Sequence, residues 1–174
     1  MKLFLSLIIS TLFLVSNTNA QKIFATRNGK ITFSTLSDED VKAVNNEVTS
    51  RLADNGQMTF SLLIKGFKFK YAEMQEHFND QYLESSKFPR ADFKGTIVNL
   101  KDVNFSNDGS YKVSVTGDLT MHGVTKNITA NGTLEIKAGK PVAACQFSLL
   151  MKDFKVDASS VTDKVTVDIS CQYQ

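Results

Sequence analysis

Tryptophan is absent from this chain, and cysteine and proline occur only twice each. Two cysteines, Cys145 and Cys171, are too few for a scaffold held by disulfides, so an apolar core must hold the fold. With no histidine near either, they also make a poor zinc site. The prolines, Pro89 and Pro141, stand alone. No proline-rich linker, low-complexity tract or internal repeat divides the chain. Only two histidines occur, His77 and His122. No cluster of His, Cys and Asp has ligand spacing, and neither a serine nucleophile elbow nor a phosphate-binding loop is present. Neither a cofactor nor a metal is therefore expected. Charge of one sign is lacking too: the formal net charge is +2. The basic residues are interspersed with acidic ones, which leaves no footprint for nucleic acid and no polybasic patch for anionic lipid.

One long hydrophobic run does occur, at the start. In "MKLFLSLIISTLFLVSNTNAQK", Lys2 precedes an apolar stretch from Leu3 to Val15, and small and polar residues lead to Ala20. This is the three-part pattern of a secretory leader. The run is shorter than the roughly 20 residues of a comfortable membrane span, although a retained anchor is the alternative. Cleavage after Ala20 is expected, leaving one domain from Gln21 to Gln174, exported to the periplasm or secreted. No later segment is apolar enough to cross a bilayer, so no stable membrane insertion is expected once the leader is removed. Oligomeric state leaves no mark in this sequence.

The remaining chain is rich in phenylalanine, with 13, and in β-branched residues. "KIFATRNGKITF" reads as two short runs around Asn28-Gly29, a strong hairpin signal. "SDEDVKAVNNE" suggests a short helix, with Ser37 or Asp38 as cap ahead of Val41 and Val44. Val48, Ser50 and Leu52 then alternate before a turn at Asp54-Asn55-Gly56. Next, Met58, Phe60, Leu62 and Ile64 share one face. "YAEMQEHFNDQYLESSKFP" breaks the two-residue period. Met74, Phe78 and either Gln81 or Tyr82 have helical spacing, and Pro89 ends the segment.

Alternation resumes after Pro89. Phe93, Gly95 and Ile97 align, as do Tyr111, Val113, Val115, Gly117 and Leu119. Ile128, Ala130, Gly132, Leu134 and Ile136 form another inner face. Cys145, Phe147, Leu149 and Met151 follow, and then Val165, Val167, Ile169, Cys171 and Tyr173. About eight antiparallel strands, each apolar on one side, can close into a barrel that leaves no edge exposed. A barrel of that size is filled by side chains or holds one small ligand. A β-sandwich has the same periodicity. The small inner residues Gly95, Gly117, Ala130 and Gly132 either leave room for a guest or let strands coil closely.

Two segments go beyond periodicity. "EHFNDQYLESSKFPRADFKGTI" (76–97) and "YKVSVTGDLTMHGVTKNITANGTLEI" (111–136) together resemble the YceI-like family. That resemblance implies an exported, all-β protein: a lipocalin-like antiparallel barrel with one short helix at its mouth. It further implies a polyisoprenoid or similar long amphiphilic lipid as the partner, held inside and carried or stored. The inward set then becomes a set of ligand contacts. It comprises Phe60, Leu62, Ile64, Phe93, Ile97, Val113, Val115, Ile128, Leu134, Phe147, Leu149, Val167 and Ile169, with Met74 and Phe78 from the helix. An enzyme acting on a bound lipid, and a solidly packed barrel without ligand, are the alternatives.

His122-Gly123 falls between two strand runs and is expected to close a hairpin at the barrel rim. Contact with a lipid head group, or a catalytic or metal-binding role, would be the other uses of His122. Finally, pairing the last two strands around "DASS" centres on Ala158 and sets Cys145 opposite Cys171. A disulfide between them is expected; two buried thiols are the alternative.

Overall fold

The computed structural model describes residues 21–35, 41–159 and 161–174. The leader pattern (1–20) and the proposed caps Ser37 and Asp38 lie outside them. Among the described residues nine strands form: β1 (Ile23–Thr35), β2 (Lys42–Ala53), β3 (Gln57–Leu63), β4 (Lys68–Phe69), β5 (Arg90–Ile97), β6 (Gly109–Met121), β7 (Val124–Lys137), β8 (Lys140–Leu150) and β9 (Lys164–Gln172). Eight of them run in the order β1-β9-β8-β7-β6-β5-β3-β2, and β2 pairs back onto β1. Every pairing is antiparallel, and the barrel is closed. The two-residue β4 is an appendage on β2. Closure satisfies the backbone groups that a sandwich would leave at its edges.

Two local expectations fail at the N-terminal end. Asn28-Gly29 does not turn the chain. β1 runs straight through it, and its pairing with β2 slips between Thr26 and Gly29 and again between Gly29 and Ile31. These are bulges, which bend a strand without ending it. A Cβ on Gly29 would lie 2.7 Å from the Cys171 sulfur and 3.2 Å from the Val48 Cβ. Glycine is needed there for close approach to β9 and β2. Where a short helix was expected around Val41 and Val44, the chain from Lys42 onward is strand β2 instead. Ala43 and Asn45 are buried, while Val44 faces the other way. Pairing on both sides outweighs the weak propensity of so short a helix. Asn45 is tolerated inside because its amide donates to the Leu63 carbonyl (3.0 Å) and accepts from the Glu47 N–H (2.8 Å).

The helix expected after β4 does form. α1 (Ala72–His77) widens into a π-turn over Phe78–Tyr82. Six residues are too few to be helical alone, so tertiary contacts hold α1 in place. Gln75 donates to the Phe67 carbonyl (2.8 Å) and accepts from the Phe69 N–H (3.3 Å). The Phe78 ring sits among Phe33, Phe67 and Phe69, with centroid separations of 5.3, 5.6 and 5.0 Å. Each such ring pair contributes about 0.5–1.5 kcal/mol beyond area burial.

The interior divides into two apolar clusters. One, beneath α1, includes Phe78, Leu62, Ile64, Met151 and Phe154. The other closes the opposite end with Leu52, Leu134, Ile136, Tyr173 and Phe24. The β5–β6 connection covers that end, stacking Phe105 on Phe24 at 5.7 Å. The buried Tyr173 hydroxyl is satisfied by Ser50 at 2.8 Å.

The small inner residues serve both of the uses that the sequence left open. Gly95 and Gly117 are paired across β5 and β6. A Cβ on Gly117 would lie 2.4 Å from the Gly95 Cα and 2.8 Å from the Phe93 ring. That pair lets two strands close up under an aromatic ring and leaves no space for a guest. Gly132 also serves close approach, since a Cβ there would lie 2.4 Å from the Ala144 carbonyl oxygen on β8, whereas Ala130 faces the open bore.

Candidate functional site: an apolar bore under a short helix

Between the two clusters lies a cavity of about 560 Å³. Strict alternation explains its walls, since strands wetted on one side must turn their apolar residues toward the axis. β3 contributes Phe60 and Leu62, with Ile64 just beyond its end. β5 supplies Phe93 and Ile97, β6 Val113 and Val115, and β7 Ile128 and Leu134. Phe147 and Leu149 come from β8, Val167 and Ile169 from β9, and Met74 and Phe78 from the helical segment. The structure thus brings every residue of the sequence-derived inner set to the wall of one cavity. Of the two residues offered for the helix's last inward position, Tyr82 faces the bore.

Several wall residues had not been singled out. Phe33, Phe67, Phe69 and Tyr71 line the mouth end, and Ala158, Val161 and Thr162 line it from the β8–β9 connection. Tyr71, Glu73, His77 and Val161 line the cavity and are also exposed to solvent. The bore therefore opens at this end. Among the described residues, no group of three or more His, Cys, Asp or Glu side chains is placed to hold a metal ion.

His122 forms the turn expected of it and does more. His122 and Gly123 have φ of 51° and 72°. Positive φ at both central residues is the mark of the tight hairpin turn whose twist matches its strands. The imidazole then reaches away from the hairpin. Nδ1 lies 3.0 Å from the Phe154 carbonyl, and Nε2 lies 2.8 Å from a Glu84 carboxylate oxygen. The ring meets Phe88 edge-on at 4.5 Å. A carbonyl only accepts, so Nδ1 carries a proton and donates it. One side chain thus ties the β6–β7 tip to the segment after α1 and to the 3-10 turn following β8. All three frame the mouth. The residues that carry the family resemblance, Glu84, Phe88 and His122, converge on this latch.

The bond from His122 holds the Glu84 carboxyl below its usual range, with Lys87 adding a smaller effect. A carboxyl lowered in the folded state stabilises the fold above its unfolded pKa, and that contribution disappears as pH falls through the lowered folded value. Glu84→Gln is therefore expected to narrow the stability gap between neutral and acidic solution, measured as melting temperature from pH 7 down to pH 3. His122→Asn keeps a residue that tolerates positive φ but loses the reach to Phe154. It is expected to destabilise by at least about 1 kcal/mol, the usual worth of one buried hydrogen bond, read by urea denaturation.

The cysteine expectation is corrected. The register sets Cys145 opposite Ile169 and Cys171 opposite Ala143, and both thiols are free. The strands pair two residues out of the expected register, and a 3-10 turn (Met151–Phe154) follows β8 before the chain returns to β9. Burial pushes the Cys145 thiol up to about 11 and the Cys171 thiol up to about 12. Thiols so rarely ionised are poor nucleophiles. At pH 8, native protein is expected to react with iodoacetamide far more slowly than a model thiol. Unfolded protein should take up two adducts without prior reduction.

The model of the YceI-like domain matches residues 14–173. The chain belongs to the YceI-like family. Curated relatives are similar over part of their length: a UPF0312 protein of Pseudomonas fluorescens is 31% identical over 111 residues, which is 63% of this chain and 48% of that protein. One from Vibrio parahaemolyticus is 42% identical over 60 residues, 34% of this chain and 28% of that protein. The matched region spans about half the length of the first of these. Among solved structures, a polyisoprenoid binding domain from Saccharophagus degradans, implicated in plant cell wall breakdown, superposes with a TM-score of 0.73 at 11% identity. The superposition covers 87% of this chain and 97% of that one. BcnA of Burkholderia cenocepacia gives 0.68 at 14%, over 84% and 96% of the two chains. At such low identity, these likenesses establish a shared fold.

Proposed function

We propose that this YceI-like barrel binds a polyisoprenoid or comparable long amphiphilic lipid and carries or stores it outside the cytoplasm. The observation that carries this reading is the apolar bore of about 560 Å³, open at the α1 end and sealed at the other. That volume suits one sizeable ligand. A barrel packed solid by its own side chains would not contain it. Each methylene moved from water into such a wall gains about 0.8 kcal/mol, against the cost of ordering the chain. Tight binding then needs little directional chemistry, which fits the apolar composition of the walls. The Saccharophagus degradans domain, named for polyisoprenoid binding, supports the ligand class. The alternative of an enzyme acting on a bound lipid gains nothing from His122, whose two ring nitrogens are engaged in the latch.

The leader pattern supports export. Intact mass of protein recovered from its own host tests cleavage after Ala20. Mass spectrometry of an organic extract from the same natively purified protein tests the ligand. One isoprenoid-type lipid per chain supports the reading; an extract without stoichiometric lipid, from folded protein, contradicts it.

A further inference from the structure

The ring of strands is not paired equally along its height. β6 pairs with β7 from Gly109–Ile136 to Met121–Val124, and β8 with β9 from Val142–Gln172 to Leu150–Lys164. Between these two hairpins the pairing runs only from Lys137–Lys140 to Gly132–Cys145. Nearer the mouth, residues 125–131 of β7 and 146–150 of β8 remain strands but do not pair with each other. Among the described residues, no side-chain hydrogen bond crosses this seam either. The outer polar groups bond away from it. Asn127 donates to Asp118 (2.9 Å) and Thr125 bonds Thr120 (2.8 Å), both on β6, while Gln146 donates to Asp168 on β9 (2.7 Å). Short pairings elsewhere in the barrel are bridged by side chains. Asn45 on β2 reaches the Leu63 carbonyl, and Asn99 holds Lys112 and Ser114 of β6 at 2.9 Å each.

The seam gives directly onto the bore. Ile128 and Ala130 on one side, and Phe147 and Leu149 on the other, line the cavity. The exposed residues Thr133 and Ala144, one pair below the end of the ladder, line it too. A paired wall stops a chain-like molecule, because its backbones are bonded about 4.8 Å apart. Here no inter-strand bond has to break. Taken along residues 146–150, the slot is about 17 Å long at about 3.4 Å per residue. The β7–β8 ladder bounds it below. Above, it is spanned by His122, which ties the β6–β7 tip to the Phe154 carbonyl in the turn after β8. A long chain using the mouth must thread end-first past Met74 and Phe78. Through the seam it passes broadside.

We infer that the seam between β7 and β8 is a second, lateral opening of the bore, through which an apolar chain enters and leaves sideways, with the His122–Phe154 bond as its clasp. The inference rests on the lipid-binding reading above and concerns the route the lipid takes.

The test closes the seam from outside. Continuing the register of Gly132 and Cys145 sets Thr129 opposite Ser148, and both are exposed. A Thr129→Cys/Ser148→Cys protein is bridged with a short bis-thiosulfonate reagent, whose link is reducible, and the bridge is located by peptide mass. The control is an Asp118→Cys/Asn127→Cys protein bridged across β6 and β7, which are already paired. The readout is the rate at which a geranylgeranyl chain tagged with a nitrobenzoxadiazole fluorophore moves between mature protein and phosphatidylcholine vesicles. Bridging the seam is expected to slow transfer at least about tenfold, and reduction should restore it. His122→Asn should speed it. An unchanged rate across the bridged seam, or equal slowing in the control, would overturn the inference. An unchanged rate in His122→Asn would overturn the role given to the clasp. Hydrogen exchange on unaltered, lipid-free protein gives a second reading. Alternate amides of 125–131 and 146–150 should exchange at least about 100-fold faster than those of the paired 133–137 and 140–144. Uniform protection would mean a zipped wall and would also overturn the inference. If folded protein with no bridge takes up none of the probe, the lipid-binding reading itself fails, a result distinct from the others.

Discussion

Ala130→Phe is expected to abolish uptake of a long isoprenoid while leaving the barrel folded. Ala130 lies on β7 between Ile128 and Gly132, all three on the wall of the bore, and pairs across to Val115 on β6. Its methyl group faces open space, so a ring added there enters the path of the ligand. In a close-packed core such an enlargement costs about 1–3 kcal/mol. In an open bore the new ring has room, and its burial offsets much of that cost. The melting temperature should therefore move by only a few degrees. A ring that denies the ligand about four methylenes of wall removes about 3 kcal/mol, which is more than 100-fold in affinity. The co-purifying lipid should be lost. A folded Ala130→Phe protein with its full complement of lipid would put the ligand somewhere other than the bore.

The largest effect on stability alone is expected at the sealed end. Ile136→Ala removes three carbons from a side chain that is 1% exposed and packs in the cluster with Leu134, Met58 and Tyr173. Ile136 does not line the bore, so the space it vacates is a separate void that its neighbours only partly fill. Such truncations cost about 2–5 kcal/mol. For a chain of this size that corresponds to a fall of roughly 5–15 °C in melting temperature, measured calorimetrically with lipid removed. Affinity for lipid, measured well below the transition, should change little. The two substitutions thus separate what the walls do for the ligand from what the closed end does for the fold.

Much of this architecture is legible in the residue pattern, and the reasons are physical. A strand wetted on one side shows its inner face directly, because the side-chain period is two. For β3 and β5 through β9 the alternation picks out the residues that the structure turns inward. What alternation does not convey is register and long-range partnership. Cys145 and Cys171 share the inner face, as their positions in β8 and β9 imply, yet the observed register sets them two residues out of opposition. Asn28-Gly29 has the chemistry of a hairpin, but its flanks have pairing partners on both sides, β2 and β9, and the chain passes through as a bulge. The turn at His122 is local and could be read. Its bonds to Glu84 and Phe154, 38 and 32 residues distant, could not. Phe33, Phe67 and Phe69, which cradle Phe78, escaped notice for a related reason. Phe67 follows a 3-10 turn and Phe69 ends a two-residue strand, where no period is long enough to register.

The mouth unites these strands of argument. Family motifs separated by tens of residues meet in the His122 latch. That latch fixes the hairpin tip, the post-helix segment and the β8–β9 turn around the opening that Phe78 lines. A helix of six residues stays in place through Gln75 and that aromatic seat, so its cover over the bore is maintained by a few identifiable contacts.

The central claim is that the barrel is hollow and that a chain-like guest occupies it. A crystal structure of the protein purified natively from its host tests it most directly. The account predicts continuous elongated density along the axis, running from beneath Met74 and Phe78 toward Leu134. A bore in which Phe60, Phe93 and Phe147 have closed across the axis, with no such density, would contradict it.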